Sequence, residues 1–315
     1  RDLHLSIRRQ RQMCIRDSTN LNRSLDKTVI LKIIFENIFK SFSFNKLPNN
    51  FSDLAYKNYG KTLSELFLIN YSEKLWGRKA DSLKDDISGN RLKHLNIISM
   101  FKNMIGLQKK DAEHLDGSFY YPKNGYGTIF EAIKEYIGSE SFQFSSKVSE
   151  IHHKENLITG ILVNDKLIQT ENLVSTLPLN VLINILRPHA PKEILEQINK
   201  IEFRFLRLGV ICLDIKSFSE NASIYFPEKG IPFTRIYEPK NRSKAMAPKD
   251  KTCIVVEVPC EKDDLLYNCD DDQFLEIIIV SLLKNNLIDK NNIIDSISLK
   301  VPYACLLYTS PSPRD

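Results

Sequence analysis

Apolar positions recur every three to four residues along several stretches of this chain and every second residue along others. Residues 29–44 place Ile30, Ile33, Ile34, Ile38 and Phe42 on one side of a helix that ends ahead of Pro48. Residues 51–77 predict two helices. Ser52 is the candidate N-cap of the first, and the second starts near Thr62 and runs through Leu63, Leu66, Phe67 and Leu75. Residues 83–110 mix lysines with large apolar residues and few turn signals, which predicts helix. A loop punctuated by Pro122, Gly125 and Gly127 opens a further helix carrying Ile129, Ile133, Tyr136 and Ile137.

After Gly138 the period falls to two. Phe142, Phe144 and Val148 lead into a first strand, and residues 157–163 and 166–169 form a hairpin about Asn164-Asp165. Residues 172–177 predict a buried strand, closed by Pro178, which cannot donate to a ladder. Short helices follow at 179–186 and after Pro191. Strands follow at 206–215, 223–226, 233–237 and 252–258, and an apolar helix at 270–285 is capped by Asp270 or Asp271. Helices and strands interleave along the whole chain, so the fold class is α/β with α+β character.

Composition first bears on the two ends. RRQRQMCIRDS at 8–18 and CLLYTSPSPRD at 305–315 are what translated sequencing-library adaptors give, so residues 1–18 and 305–315 are expected to be adaptor-derived and 19–304 an internal piece of a longer reading frame. The ends hold 6 of the 44 basic and 3 of the 39 acidic residues, which leaves a charge of +2 and no footprint for nucleic acid. No run approaches the roughly 18 apolar residues of a membrane span. Cys212, Cys253, Cys260 and Cys269 show no C-x-x-C spacing, and Cys212 and Cys253 sit in apolar runs as small hydrophobes, which suits a reducing cytoplasm. His152 and His153, neighbours on a strand, point to opposite faces and do not share a metal; no metal site is expected. The basic pair Lys109-Lys110 reads as a solvated face.

The string from Phe119 to Pro178, with its P-K-x-G-x-G loop, helix, β-meander and closing S-T-L-P, resembles the middle of flavin-dependent amine oxidase superfamily proteins. That group includes protoporphyrinogen oxidase, phytoene desaturases and UDP-galactopyranose mutase. Tyr59, Gly60, Leu63, Glu65, Phe67, Tyr71, Lys74, Trp76 and Gly77 are similar to a string of its mutase-like and bacterial protoporphyrinogen-oxidase-like branches, as is the stretch from Ile224 to Cys260. The resemblance implies an FAD cofactor and a partial Rossmann-like FAD-binding domain at 119–178. Around it lies a substrate domain, helical over 19–118 and built of a mixed sheet and helices over 179–304. It implies that Val148 presents its backbone to the adenine, with Ser175, Thr176 and Pro178 near the cofactor. It also implies that Tyr121, Lys123, Tyr126 and Thr128 face the substrate cavity. The resemblance puts Arg235, Tyr237, Lys240, Asn241 and Arg242 on a sheet that holds substrate, where they would meet an anionic group, while the residues by themselves read as exposed hairpin charges. Trp76 reads as a helix-end anchor.

Flavin carries the difficult electron transfer, so the protein has to grip the nucleotide, aim the ring and enclose the substrate. The usual phosphate grip, G-x-G-x-x-G at a helix N-terminus, does not occur in 19–304; Phe130 stands where the third glycine would follow Gly125 and Gly127. No catalytic side chain is singled out. Three functions stand open: an FAD-dependent oxidoreductase taking a hydride from a bulky small-molecule substrate, a UDP-galactopyranose mutase-like isomerase of a sugar nucleotide, and a non-catalytic module with a degenerate flavin fold. Nothing in the sequence supports membrane association or sets an oligomeric state.

Overall fold

The structure, a computed structural model, describes residues 26–39, 48–85, 87 and 120–307. The 83–110 helix after residue 87, Lys109-Lys110, residues 1–18 and residues 308–315 therefore lie outside the described residues. The chain divides into two compact units, one of residues 1–125 and 204–302 and a second of 126–203 and 303–315.

The first unit begins with helices. α1 (Lys27–Phe39) buries Ile30 and Ile33, and α2 (Phe51–Tyr59) buries Phe51, Ala55 and Tyr59 at helical spacing. The cap of α2 is Asn50 rather than Ser52: the Asn50 side chain accepts from the Asp53 amide at 2.8 Å, and the Ser52 hydroxyl donates to Asn50. α3 (Lys61–Leu63) passes without a break into a π-helical stretch (Ser64–Ile69) and then α4 (Asn70–Trp76). Leu63, Phe67, Leu68 and Ile69 turn inward with Ala80 and Leu83, and Trp76 packs against this cluster, the anchoring position expected of it.

The second unit holds α5 (Gly127–Ile137), then β1 (Val148–Lys154), β2 (Leu157–Val163) and β3 (Lys166–Gln169). α6 (Leu179–Asn184), β4 (Leu186–Arg187) and α7 (Lys192–Ile198) complete it. The sheet runs β3-β2-β1-β4, antiparallel within the meander and parallel where β4 joins β1. Asn164 and Asp165 both take positive φ, which bends the β2–β3 hairpin as their residue types allow. Two expectations fail here. Residues 172–177 form no strand; they are exposed, with Val174 at 95%, because among the described residues no strand lies beside them to complete a ladder. Residues 142–147 are likewise irregular, so Val148 opens β1 instead of ending an earlier strand.

The chain then returns to the first unit with β5 (Phe203–Leu213), β6 (Ile224–Tyr225), β7 (Arg235–Tyr237) and β8 (Thr252–Cys260). α8 (Leu265–Asn268), α9 (Asp271–Lys284) and β9 (Ile293–Leu306) follow. The sheet order is β6-β7-β8-β5-β9. β9, with its Pro302, is a strand that the hydrophobic pattern does not announce, and its edge position is where a strand tolerates proline. Asp270 caps α9, accepting from the Gln273 amide at 2.8 Å, as expected. Phe274, Ile278 and Leu282 of α9 bury against Ile211, Leu213, Ile254, Val256 and Val258 of one sheet face. Gly209 lies under this contact, where a Cβ would meet the Phe274 ring at an ordinary 3.5 Å.

The same face carries Arg207, fully buried, whose guanidinium donates to the Leu266, Cys269 and Asp270 carbonyls, the Asp271 carboxylate and Ser298 Oγ, and stacks 4.2 Å from the Phe274 ring. This cation ties β5, β9 and the start of α9 together. The Ser298 and Arg207 hydrogen bonds hold the Asp271 carboxyl below its usual range.

Candidate functional site

The face of the large sheet opposite α9 is set by strand alternation. Arg235 and Tyr237 of β7 flank the fully buried Ile236, so both project to the other side. Register places Tyr225 of β6 beside Arg235, Arg235 beside Glu257 of β8, and Tyr237 beside Val255. Tyr71 of α4 meets the Tyr225 ring edge-on with centroids 5.6 Å apart, and Phe67 stacks on Tyr71 at 5.8 Å. The outcome is a wall of Tyr71, Tyr225, Arg235, Tyr237 and Glu257.

Its electrostatics are decided by one bidentate pair. Arg235 Nε donates to Glu257 Oε2 at 2.7 Å and Nη2 to Oε1. Burial works against the guanidinium charge, yet the Glu257 carboxylate overrides it and holds Arg235 above its ordinary value. Burial first and Glu257 second raise the Tyr237 phenol, against the opposing pull of Arg235 and Arg242. Arg242 lies 5.9 Å from the Tyr237 ring centroid, and Arg235 lies 5.6 Å from it. With Arg235 matched to Glu257, Arg242 carries the remaining positive charge next to Tyr237.

Of the residues predicted to bind substrate, Tyr121 and Lys123 come to the edge of this wall. Tyr121 is near enough to influence the Tyr237 phenol, and the Lys123 carbonyl accepts from Ser243 Oγ at 2.6 Å. Gly125 is pressed onto Met246, whose sulfur would lie 3.0 Å from an added Cβ, and its φ of 92° also favours glycine. Tyr126 and Thr128 belong to the second unit, at the exposed start of α5. Lys240 and Asn241 are spent on their own loops. Lys240 Nζ donates to the carbonyls of Lys216, Pro248, Lys249 and Lys251 at 2.7–3.0 Å, and Asn241 donates to Ser219 and Asn221. Glu238 beneath them accepts from the Phe218 and Ser219 amides and the Thr252 hydroxyl, which fixes the loop after β7.

The Lys74–Gly77 string has a structural role. Lys74 Nζ donates to the Phe226 and Glu228 carbonyls at 2.8 and 3.0 Å, and burial lowers its pKa to about 8 against the opposing Glu228 charge. Arg204 donates to the Leu75 and Lys74 carbonyls and to Glu261. Gly77 ends α4 in the left-handed region, where a Cβ would sit 2.5 Å from Arg204 Nη1. The string therefore clamps α4 to the sheet.

The residues expected near a nucleotide all lie in the second unit. Val148 pairs with Val163 on one side, while on the other β4 pairs with β1 only at Ile151 and His152, which leaves the Val148 edge open among the described residues. Ser175 and Thr176 are exposed on the segment before α6, and Pro178 supplies the carbonyl that receives the Val181 and Leu182 amides. Ser175 also lines an apolar cavity of about 300 Å³ with Ile151, Ile158, Leu173, Leu182, Ile183 and Leu186. No glycine-rich phosphate turn stands among the described residues. His152 bonds Glu150 and His153 bonds the Pro188 carbonyl, and no metal-holding group of His, Cys, Asp or Glu occurs among the described residues. Among them, no helix is long and apolar enough to cross a membrane.

Tyr71, Tyr225 and Glu257 do not stand out as site residues in the sequence. Their signal is only the alternation in β7 and β8, which becomes informative once α9 is known to cover the opposite face.

The profile of the family described as GLF, UDP-galactopyranose mutase, matches residues 66–276, more than half of the chain and including the whole wall. Among solved structures, the chain is similar to a reduced UDP-galactopyranose mutase at 19% identity and a TM-score of 0.71, covering 89% of this chain and 61% of that one. It is also similar to a protein provisionally assigned as a protoporphyrinogen oxidase from Exiguobacterium sp. 255-15, at 13% identity and a TM-score of 0.66, covering 95% and 66%. An oxidoreductase from Methanosarcina mazei follows at 12% identity and a TM-score of 0.59, covering 91% and 63%. The chain thus spans 61% of the length of the mutase it resembles.

Proposed function

The chain belongs to the UDP-galactopyranose mutase family, and from that premise we propose that it forms the substrate side of an FAD-dependent flavoenzyme whose small-molecule substrate is bulky and anionic. The observation that carries this reading is the wall itself: an edge-on tyrosine pair to receive a ring, with Arg242 and Lys123 to meet negative charge while Arg235 is matched by Glu257. A sugar nucleotide offers both a flat base and phosphates, and redox-neutral isomerisation of such a substrate is the first reading. When bound, FAD supplies the electron chemistry. Val148, Ser175, Thr176 and Pro178 hold its adenosine end, and Tyr121, Lys123, Tyr126 and Thr128 belong to the substrate loop.

Hydride transfer from a C–N or C–C bond to flavin is the second reading. It is favoured by the Arg235–Glu257 pair, which cancels the charge nearest the Tyr225 ring and so suits an apolar substrate there. The longest reading frame that carries this sequence, purified and loaded with FAD, separates the two. Interconversion of UDP-galactopyranose and UDP-galactofuranose by the reduced protein supports the first. Bleaching of the flavin absorbance by a porphyrinogen or amine substrate, with no sugar interconversion, supports the second. A protein that retains no flavin refutes both. Under the first reading, Arg242→Ala raises KM for the sugar nucleotide about tenfold, as loss of one charge-assisted contact implies.

A further inference from the structure

Cys212 and Cys253 are directly opposite each other on the antiparallel strands β5 and β8. Both are free thiols and half-buried. The direction of the backbone groups fixes the kind of pair they form. Asp214 donates its amide to Asn292, toward β9, so even-numbered residues at this end of β5 turn their peptide groups away from β8. Glu257 gives its carbonyl to Thr234, toward β7, so odd-numbered residues of β8 turn away from β5. Cys212 and Cys253 are therefore a non-hydrogen-bonded pair, in which Cα atoms stand about 4.5 Å apart with side chains converging on one face. That spacing lies at the short end of the roughly 4.4–6.8 Å that a disulfide spans.

We propose that Cys212 and Cys253 are a dithiol site that a low-molecular-weight disulfide oxidises to a cross-strand bridge on the same sheet face as Tyr237. One thiolate attacks the oxidant, forming a mixed disulfide and releasing one equivalent of the small thiol. The second cysteine sulfur then attacks the mixed disulfide, closing Cys212–Cys253 and releasing the second equivalent, with the two cysteine protons ending on the two released thiols. Other partners are poorly placed. Cys260 is buried beside Arg207 and bonds the Val258 carbonyl, and Cys269 lies in the Arg207 cluster on the α9 side.

Burial raises both thiols, helped by Asp295 beside Cys212 and by Cys212 and Glu238 beside Cys253, so the thiolate is scarce at neutral pH. The rate of closure accordingly rises about tenfold per pH unit below the thiol pKa.

The test treats the full chain with oxidised glutathione and maps disulfides by mass spectrometry of a non-reduced digest. The expected result is a Cys212–Cys253 linked peptide that forms faster at pH 8.5 than at pH 7 and reopens with dithiothreitol. Cys212→Ser is expected to accumulate a stable glutathione adduct on Cys253 in place of the bridge, and the conservative change leaves the half-buried position filled. Retention of both thiols in the wild-type chain overturns the proposal, as does a bridge from either of them to Cys260, Cys269 or Cys305. The wild-type measurement needs no variant to fold.

Discussion

At the scale of single residues, the charged groups of the sheet fall into those spent on architecture and those left over. Lys240 is enclosed by carbonyls, Arg207 is buried among acceptors and Arg204 holds the end of α4, while Arg242 rests on the aromatic face of Tyr237. Lys74 gives this division a measurable form. Its folded pKa of about 8 lies below the 10.5 of a free lysine, so between those values the unfolded chain binds more protons than the folded one. Stability therefore rises with pH from about 8 toward 10.5, and below pH 8 the protonated ammonium opposes folding. Urea unfolding across pH 7–10.5 is expected to show this rise in the wild type and its loss in Lys74→Met. An identical pH profile for both proteins would sink the assignment. Such a division was not legible in the sequence. Lys240, Asn241 and Arg242 look equivalent there, and only the fold of residues 216–251 shows that two of them are already occupied.

At the scale of elements, what was legible had its cause nearby. Helix α9 with its Asp270 cap, the Asn164-Asp165 hairpin and the helix behind Gly127 all depend on contacts within a few residues, and each forms as expected. The failures have distant causes. Residues 172–177 have strand composition but no neighbouring strand among the described residues, and the π-helical turn at Ser64–Ile69 leaves no mark in the apolar spacing. β9 is hidden because its apolar residues are half exposed, Ile297 and Leu299 at 49% each, and its place is fixed by β5. Gly77 shows how a local signal acquires a tertiary meaning, since its missing Cβ admits Arg204 to the end of α4. Gly77→Ala is expected to cost about 1–3 kcal/mol from left-handed strain and a displaced Arg204. Thermal unfolding checks this, and a variant as stable as wild type would refute the clamp.

At the scale of the whole molecule, the chain divides into two compact units. The first holds the aromatic and cationic wall, and the second holds the open Val148 edge, Ser175 and Thr176. The fold class and the likeness to flavoproteins were readable because several spaced strings coincide, from Tyr59–Gly77 to Ile224–Cys260. The phosphate cradle was equally readable by its absence from all 315 residues. This chain by itself is accordingly expected to retain little FAD. Absorbance after desalting is expected to show far less than one flavin per chain, and stoichiometric retention would overturn that view.

The four carbonyls around Lys240 Nζ, at 2.7–3.0 Å, take the place that water holds around a free ammonium. Truncating the side chain, as in Lys240→Ala, leaves those four carbonyls without their shared donor. The variant is expected to melt below the wild type in a thermal scan, and an unchanged melting temperature would refute the lysine's hold on the loop. The lysine, in this light, is a counter-ion that the loop cannot lose to dilution.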